Sequence, residues 1–240
     1  TLTLTLTLTL TLTLTLTLTT RSMASNGRGR PAPGAGWARS YKKAKLDGDA
    51  AWAAAAEFNM GPGTLRVPMR MHATARQRLC AALKDKGYTS GVALLQGGDQ
   101  LRRYDSDHEP LFRQDSWFAH LFGVKEQGYA TEEADMGMYG AVCISSGKTV
   151  LFFPKLAADY AVWMGRLKTC EDFKAMYAVE DVQWACDIKE GLLALLKEEC
   201  GGGALELFAL RGVNSDSGAT PREAAFPGAA AWAAAHGVAW

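Results

Sequence analysis

Histidine is scarce in this sequence. His72, His108, His120 and His236 are the only four in 240 residues. None forms His-Glu-x-x-His or a similar ligand pair, which excludes the helical zinc-peptidase signature. The five cysteines, Cys80, Cys143, Cys170, Cys186 and Cys200, are odd in number and hold no Cys-x-x-Cys pair. That argues against a zinc site or a disulfide framework and for a reduced, cytoplasmic protein. A run of about 18 apolar residues, the minimum for a membrane-spanning helix, is also missing. Charge is almost balanced, with a formal net charge of +1. Nucleic-acid binders usually carry a clear basic excess, so neither a nucleic acid nor a membrane is expected as partner.

Acid is missing from one region altogether. Between Arg21 and Leu46 there is no Asp or Glu, while Arg28, Arg30, Arg39, Lys42, Lys43 and Lys45 accumulate among Gly, Pro, Ala and Ser. Such a composition cannot bury a core, so residues 21–57 read as a disordered basic arm. An acid-poor, Arg-bearing arm also has the look of an organelle transit peptide. Within it, Ala50–Glu57 suits a short Ala-rich helix with Asp49 as cap. Ahead of the arm, Thr1–Leu18 is a strict Thr-Leu repeat extended by Thr19 and Thr20. Its strand period and uncharged faces make residues 1–20 a low-complexity, aggregation-prone tract rather than a domain. We read it as translated simple repeat upstream of the true start, with Met23 a candidate initiator.

The composition, 48% hydrophobic and 21% charged, suits one globular domain, assigned to residues 58–226. Thr64–Pro68 is a short extended lead-in. His72–Lys86 has Ala75, Leu79, Ala82 and Leu83 on one face and Arg76, Arg78, Lys84 and Lys86 elsewhere, the pattern of an amphipathic helix. Val92–Leu95 is a buried strand entering a Gly97-Gly98 loop. Met138–Ile144 and Thr149–Phe153 form a hairpin across Ser145–Lys148. Ala157–Arg166, Thr169–Tyr177 and Asp187–Lys197 read as helices. The last has Ile188, Leu192, Leu195 and Leu196 on its core face. Leu205–Leu210 returns as a strand. The fold class is α/β, a mixed sheet flanked by helices. An Ala-rich tail, 227–240, follows and reads as a short helix or irregular chain.

Side chains that carry chemistry are few. Asp105, Asp107, His108 and Glu109 form the one local cluster of metal-capable groups, without complete ligand spacing, and read as a solvated loop. Asn214, Asp216 and Gly218 hint at a calcium loop, but the closing Glu is missing from its place. Ser217 has no evident base, and Gly97-Gly98 lacks the rest of a phosphate-binding motif. No catalytic residue and no metal ligand is assigned.

The densest aromatic stretch is Leu111–Val124, LFRQDSWFAHLFGV. Asp115 or Ser116 can cap a helix there. Trp117, Phe118, Leu121 and Phe122 share a face, and Gly123 suits a left-handed end. With its surroundings from Leu94, this stretch resembles the amino-terminal domain of prolidase, the Xaa-Pro dipeptidase, and of its relative aminopeptidase P. The resemblance continues through Thr149–Pro154 (TVLFFP), Val162–Arg166 (VWMGR), Tyr177–Trp184 (YAVEDVQW) and Leu210–Phe226. It implies a creatinase-type, ribonuclease H-like fold. It departs from the family at Tyr129–Gly137, where about nine residues look inserted into a surface loop, which costs little because closure entropy grows only slowly with length.

The family hydrolyses dipeptides with a carboxyl-terminal proline, using two manganese ions held by two Asp, one His and two Glu of a carboxyl-terminal domain. No position here matches those ligands. The resemblance therefore implies a dimerising, active-site-capping domain that binds no manganese itself, in a homodimeric enzyme acting on proline-containing dipeptides. It implies also that the catalytic domain is absent after residue 240. One residue carries over. The Trp of the VWMGR-like segment, here Trp163, reaches toward the substrate across the dimer, where a rigid aromatic wall suits a proline ring. The competing reading is a standalone, non-enzymatic dimerisation module that regulates a full-length prolidase.

Overall fold

A computed structural model describes residues 57–58, 63–128 and 137–240. The Thr-Leu repeat, nearly all of the basic arm and most of the insertion at 129–137 lie outside the described residues. In chain order the elements are β1 (Glu57–Phe58), β2 (Val67–Pro68), α1 (Arg70–Asp85), β3 (Val92–Gln96), α2 (Ser116–Phe122), β4 (Tyr139–Cys143), β5 (Thr149–Phe153), α3 (Ala161–Met164), α4 (Cys170–Tyr177), β6 (Asp181–Trp184), α5 (Ile188–Cys200), β7 (Leu205–Ala209), α6 (Ala229–His236) and β8 (Val238–Ala239).

A six-stranded sheet in the order β6-β5-β4-β3-β7-β8 carries the fold. β3–β4 and β4–β5 pair antiparallel, and β5–β6, β3–β7 and β7–β8 pair parallel. The sheet is mixed, as the sequence implies. β1 and β2 form a separate antiparallel pair, with Phe58 opposite Val67. Glu57, expected at the end of a helix, thus begins a strand.

Side chains alternate across the sheet with the period of two that strand geometry imposes. Val92, Leu94, Tyr139, Ala141, Val150 and Phe152 face one core with Ile188, Leu192, Leu195 and Leu196 of α5. Ala93, Leu95, Val142, Leu151 and Phe153 face the other, with Phe118 and Phe122 of α2 and Phe173 and Tyr177 of α4. Burial on both faces explains why β3, β4 and β5 are continuous apolar runs. The tail 227–240 joins the first core: Ala229, Trp232, Ala233 and Val238 are buried there, and Phe226 stacks on Trp240 at 5.7 Å.

The faces of α5 and α2 follow their apolar pattern, but Trp117 remains 43% exposed. Asp115 is the cap: its Oδ1 accepts from the amides of Trp117 (3.0 Å) and Phe118 (2.9 Å). Gly123 closes the helix at φ 70°, where a side chain is strained. In α1 the buried stripe is His72, Arg76, Cys80 and Leu83, a rotation from the expected face, and Ala82 is exposed. Two polar residues turn inward because α2 ends against them. His72 Nδ1 donates to the carbonyl of His120 (2.8 Å), and Arg76 Nη1 to that of Leu121 (2.9 Å). The last carbonyls of a helix have no partner inside it, so these contacts satisfy both sides.

Candidate functional site

β3, β5, β6 and β7 run in one direction, so their carboxyl ends gather at one end of the sheet. Three loops emerge there: 97–115 after β3, 154–169 after β5, and 210–226 after β7.

The loop after β5 carries Trp163. The expected helix Ala157–Arg166 is instead a 3-10 turn at Ala158–Tyr160 followed by the four residues of α3. No residue from 157 to 166 is buried. Trp163 is 86% exposed, and Tyr160, Val162 and Met164 beside it are exposed too. Adjacent large apolar groups left in water mark an interaction surface more often than a solvent face. The loop's far end is anchored. Arg166 forms a two-pronged ion pair with Asp172 (2.8 and 3.0 Å), and Thr169 and Asp172 cap α4 reciprocally. The Arg166 guanidinium and then the Thr169 amide hold the Asp172 carboxyl well below the usual carboxylate range.

The loop after β3 is braced from two sides. Gln114 Oε1 accepts from the amides of Gly98 (2.6 Å) and Asp115 (2.9 Å), and its Nε2 donates to the carbonyl of Glu126 (2.8 Å). The Glu126 carboxylate meets Lys168 at 2.7 Å and accepts the Tyr177 hydroxyl. Burial first, and then the charge of Glu126, push the Tyr177 phenol well above its ordinary value. The loop after β7 returns across the sheet end, where Arg222 pairs with Asp99.

Asp105, Asp107, His108 and Glu109 do not converge into a ligand set. Among the described residues no three His, Cys, Asp or Glu side chains are grouped to hold a metal. At Asn214 the side chain accepts from the amides of Asp216 (2.9 Å) and Ser217 (3.0 Å), a self-contained exposed turn. None of the described helices is long and apolar enough to cross a membrane. The bracing residues Gln114, Asp99 and Arg222 escaped sequence reading. Gln114 sits within the aromatic signature, but nothing local tells a bracing Gln from a solvated one.

Fold and site together define a mixed-sheet α/β domain that presents an aromatic surface at one sheet end. Residues 72–201, more than half of the sequence, match the model of the aminopeptidase P N-terminal domain, and the chain belongs to that family. It is 41% identical over 173 residues to the Xaa-Pro dipeptidases of Rattus norvegicus and Homo sapiens, a match covering 71% of this chain and 32% of each relative. The Xaa-Pro dipeptidase of Pongo abelii matches over the same lengths at 42%. The chain thus spans about a third of the length of the curated relatives it matches. Among solved structures, the aminopeptidase PepP of Pseudomonas aeruginosa is similar with a TM-score of 0.47 at 23% identity, covering 62% of this chain and 30% of that one.

Proposed function

We propose that this domain is the dimerising, active-site-capping part of a manganese-dependent Xaa-Pro dipeptidase, with Trp163 lining the dipeptide site of the partner protomer. The observation that carries the reading is the exposure of Trp163 among Tyr160, Val162 and Met164. A rigid aromatic ring held away from its own core is suited to a proline ring or to a subunit contact. The 41% identity to Xaa-Pro dipeptidases supports the substrate class. Manganese belongs to the enzyme's metal centre and not to the described residues of this chain, whose donors do not group. Cytoplasmic residence is part of the same proposal and is supported by five unpaired thiols.

Two measurements test this. Sedimentation equilibrium of the chain should give a dimer that Trp163→Ala and Val162→Asp both weaken. A strict monomer at every concentration overturns the dimer role. Incubation with manganese and glycyl-proline should give no turnover. A rate above about 1 s⁻¹, in the ordinary enzyme range, overturns the capping role.

A further inference from the structure

The loop that carries Trp163 is unburied in its middle, so its stance depends on its two stems. Phe153, the last residue of β5, stacks on Phe173 of α4 with ring centroids 4.0 Å apart and planes 4° apart. It also lies 5.8 Å from the Tyr177 ring. Lys168, on the returning stem, sets its ammonium 5.5 Å from the centroid of the same Phe173 ring. Entry and exit of the loop therefore meet around one side chain of α4.

Glu126, on the segment after α2, joins the returning stem to the rest of the domain. Its carboxylate meets Lys168 Nζ at 2.7 Å and accepts the hydroxyl of Tyr177, a residue only 3% exposed. Its carbonyl accepts from Gln114 Nε2 (2.8 Å), and the adjacent Lys125 amide donates to the Tyr177 hydroxyl (3.3 Å). An isolated surface ion pair contributes little, because ordering two long side chains offsets the attraction. Here other contacts do the ordering. Glu126 is held by Tyr177 and Gln114, and Lys168 lies over an aromatic ring. The Arg166–Asp172 pair binds the loop to α4 alone. Among the described residues, Glu126–Lys168 is the one side-chain hydrogen bond or ion pair that joins residues 157–169 to a segment other than α4.

We infer that Glu126 is a positioning residue for Trp163. Through Lys168 its carboxylate fixes the returning stem of the loop. Through Gln114 its backbone ties that stem to the loop after β3, so two of the three loops at the sheet end are held as one unit. Glu126 acts through Lys168 rather than on a substrate. What this anchoring does for binding rests on the role proposed for Trp163, whereas the anchoring itself does not.

The test is amide nitrogen relaxation, by NMR, of the full chain carrying Val162→Asp, so that self-association does not order the loop. Backbone order parameters of Ala161–Met164, and that of the Trp163 indole, should lie near the rigid value of about 0.85. Lys168→Met keeps a stem over Phe173 but removes the charge, and should lower them toward about 0.6, as should Glu126→Gln. Lys168→Arg should leave them near 0.85, about the rigid value, because a guanidinium also pairs with a carboxylate. α5 should stay rigid in all three variants, which separates positioning from loss of fold. Unchanged order in Lys168→Met, a starting loop already below about 0.6, or an equal loss in α5 overturns the inference. With Val162 retained, Lys168→Met should also weaken self-association about fivefold through lost preorganisation. If order falls and association does not, Glu126 keeps its positioning role and it is the interface reading of Trp163 that fails.

Discussion

Gln96 and Tyr139 stand opposite each other across β3 and β4 and together hold both backbone groups of one residue, Ala225, in another segment. Gln96 Oε1 accepts from the Ala225 amide (3.1 Å), and the Tyr139 hydroxyl donates to the Ala225 carbonyl (3.1 Å). The loop after β7 is thereby pinned over the sheet, and Phe226 enters the core with its ring 6.3 Å from that of Tyr139.

Removing the Tyr139 hydroxyl should expose this dependence. Tyr139→Phe keeps the buried ring but leaves the Ala225 carbonyl without this donor. The expected cost is about 1 kcal/mol, read from the urea midpoint with an unchanged slope. Amide exchange near residues 222–226 should quicken more than in β5.

Gly140, in the middle of β4, is a harder constraint. A Cβ there would lie 2.4 Å from the Phe122 ring of α2. The ring is fully buried and tilts against Phe118 at 4.8 Å, so it has nowhere to retreat. Gly140→Ala should destabilise the domain by about 1–3 kcal/mol, the usual range for overpacking a core, as measured by denaturant unfolding. The neighbouring Ala141, on the other face, should tolerate Ala141→Gly at a smaller loss.

These contacts mark what was legible in the sequence. α5 was readable because its four core residues are all apolar and recur at helical spacing. The hairpin, β7 and the capped aromatic helix α2 were readable for similar local reasons. The face of α1 was not, since hydropathy places His72 and Arg76 outside, whereas both satisfy carbonyls of a helix some 45 residues away in sequence. The helix expected over Ala157–Arg166 is reduced to a 3-10 turn and the four residues of α3, and none of its residues is buried against the body. At the sheet end, Trp163 was nameable by its motif, but Gln114, Asp99 and Arg222 act only through partners that the fold brings together.

His72 gives the domain a pH dependence with a definite sign. Burial, the leading cause, lowers its pKa from 6.5, opposed by the His120 carbonyl and helped by the charges of Arg76, His120 and Lys125. The unfolded chain therefore binds a proton below about pH 6.5 that the folded chain resists. Stability contributed by neutral His72 is complete above that pH and falls as the solution is acidified, by at most about 1.4 kcal/mol per pH unit. Unfolding free energies at pH 7.5 and 5.5 should differ more for the native sequence than for His72→Gln. Equal differences would remove His72 as the source.

Trp163 and Phe118 offer a contrast that separates surface function from packing. Phe118 is fully buried, so Phe118→Ala should cost about 3–5 kcal/mol or prevent folding. Trp163 projects from a segment with no buried residue, so Trp163→Ala should change unfolding free energy by less than about 0.5 kcal/mol. If the proposed interface is real, the same variant should weaken self-association by about 2 kcal/mol or more, because a central tryptophan is a common interface anchor. Unfolding should be followed at concentrations below the dissociation constant, where association adds nothing to apparent stability. A loss of monomer stability would instead make Trp163 a packing residue, and its exposed neighbours would then lose their claim to a shared surface.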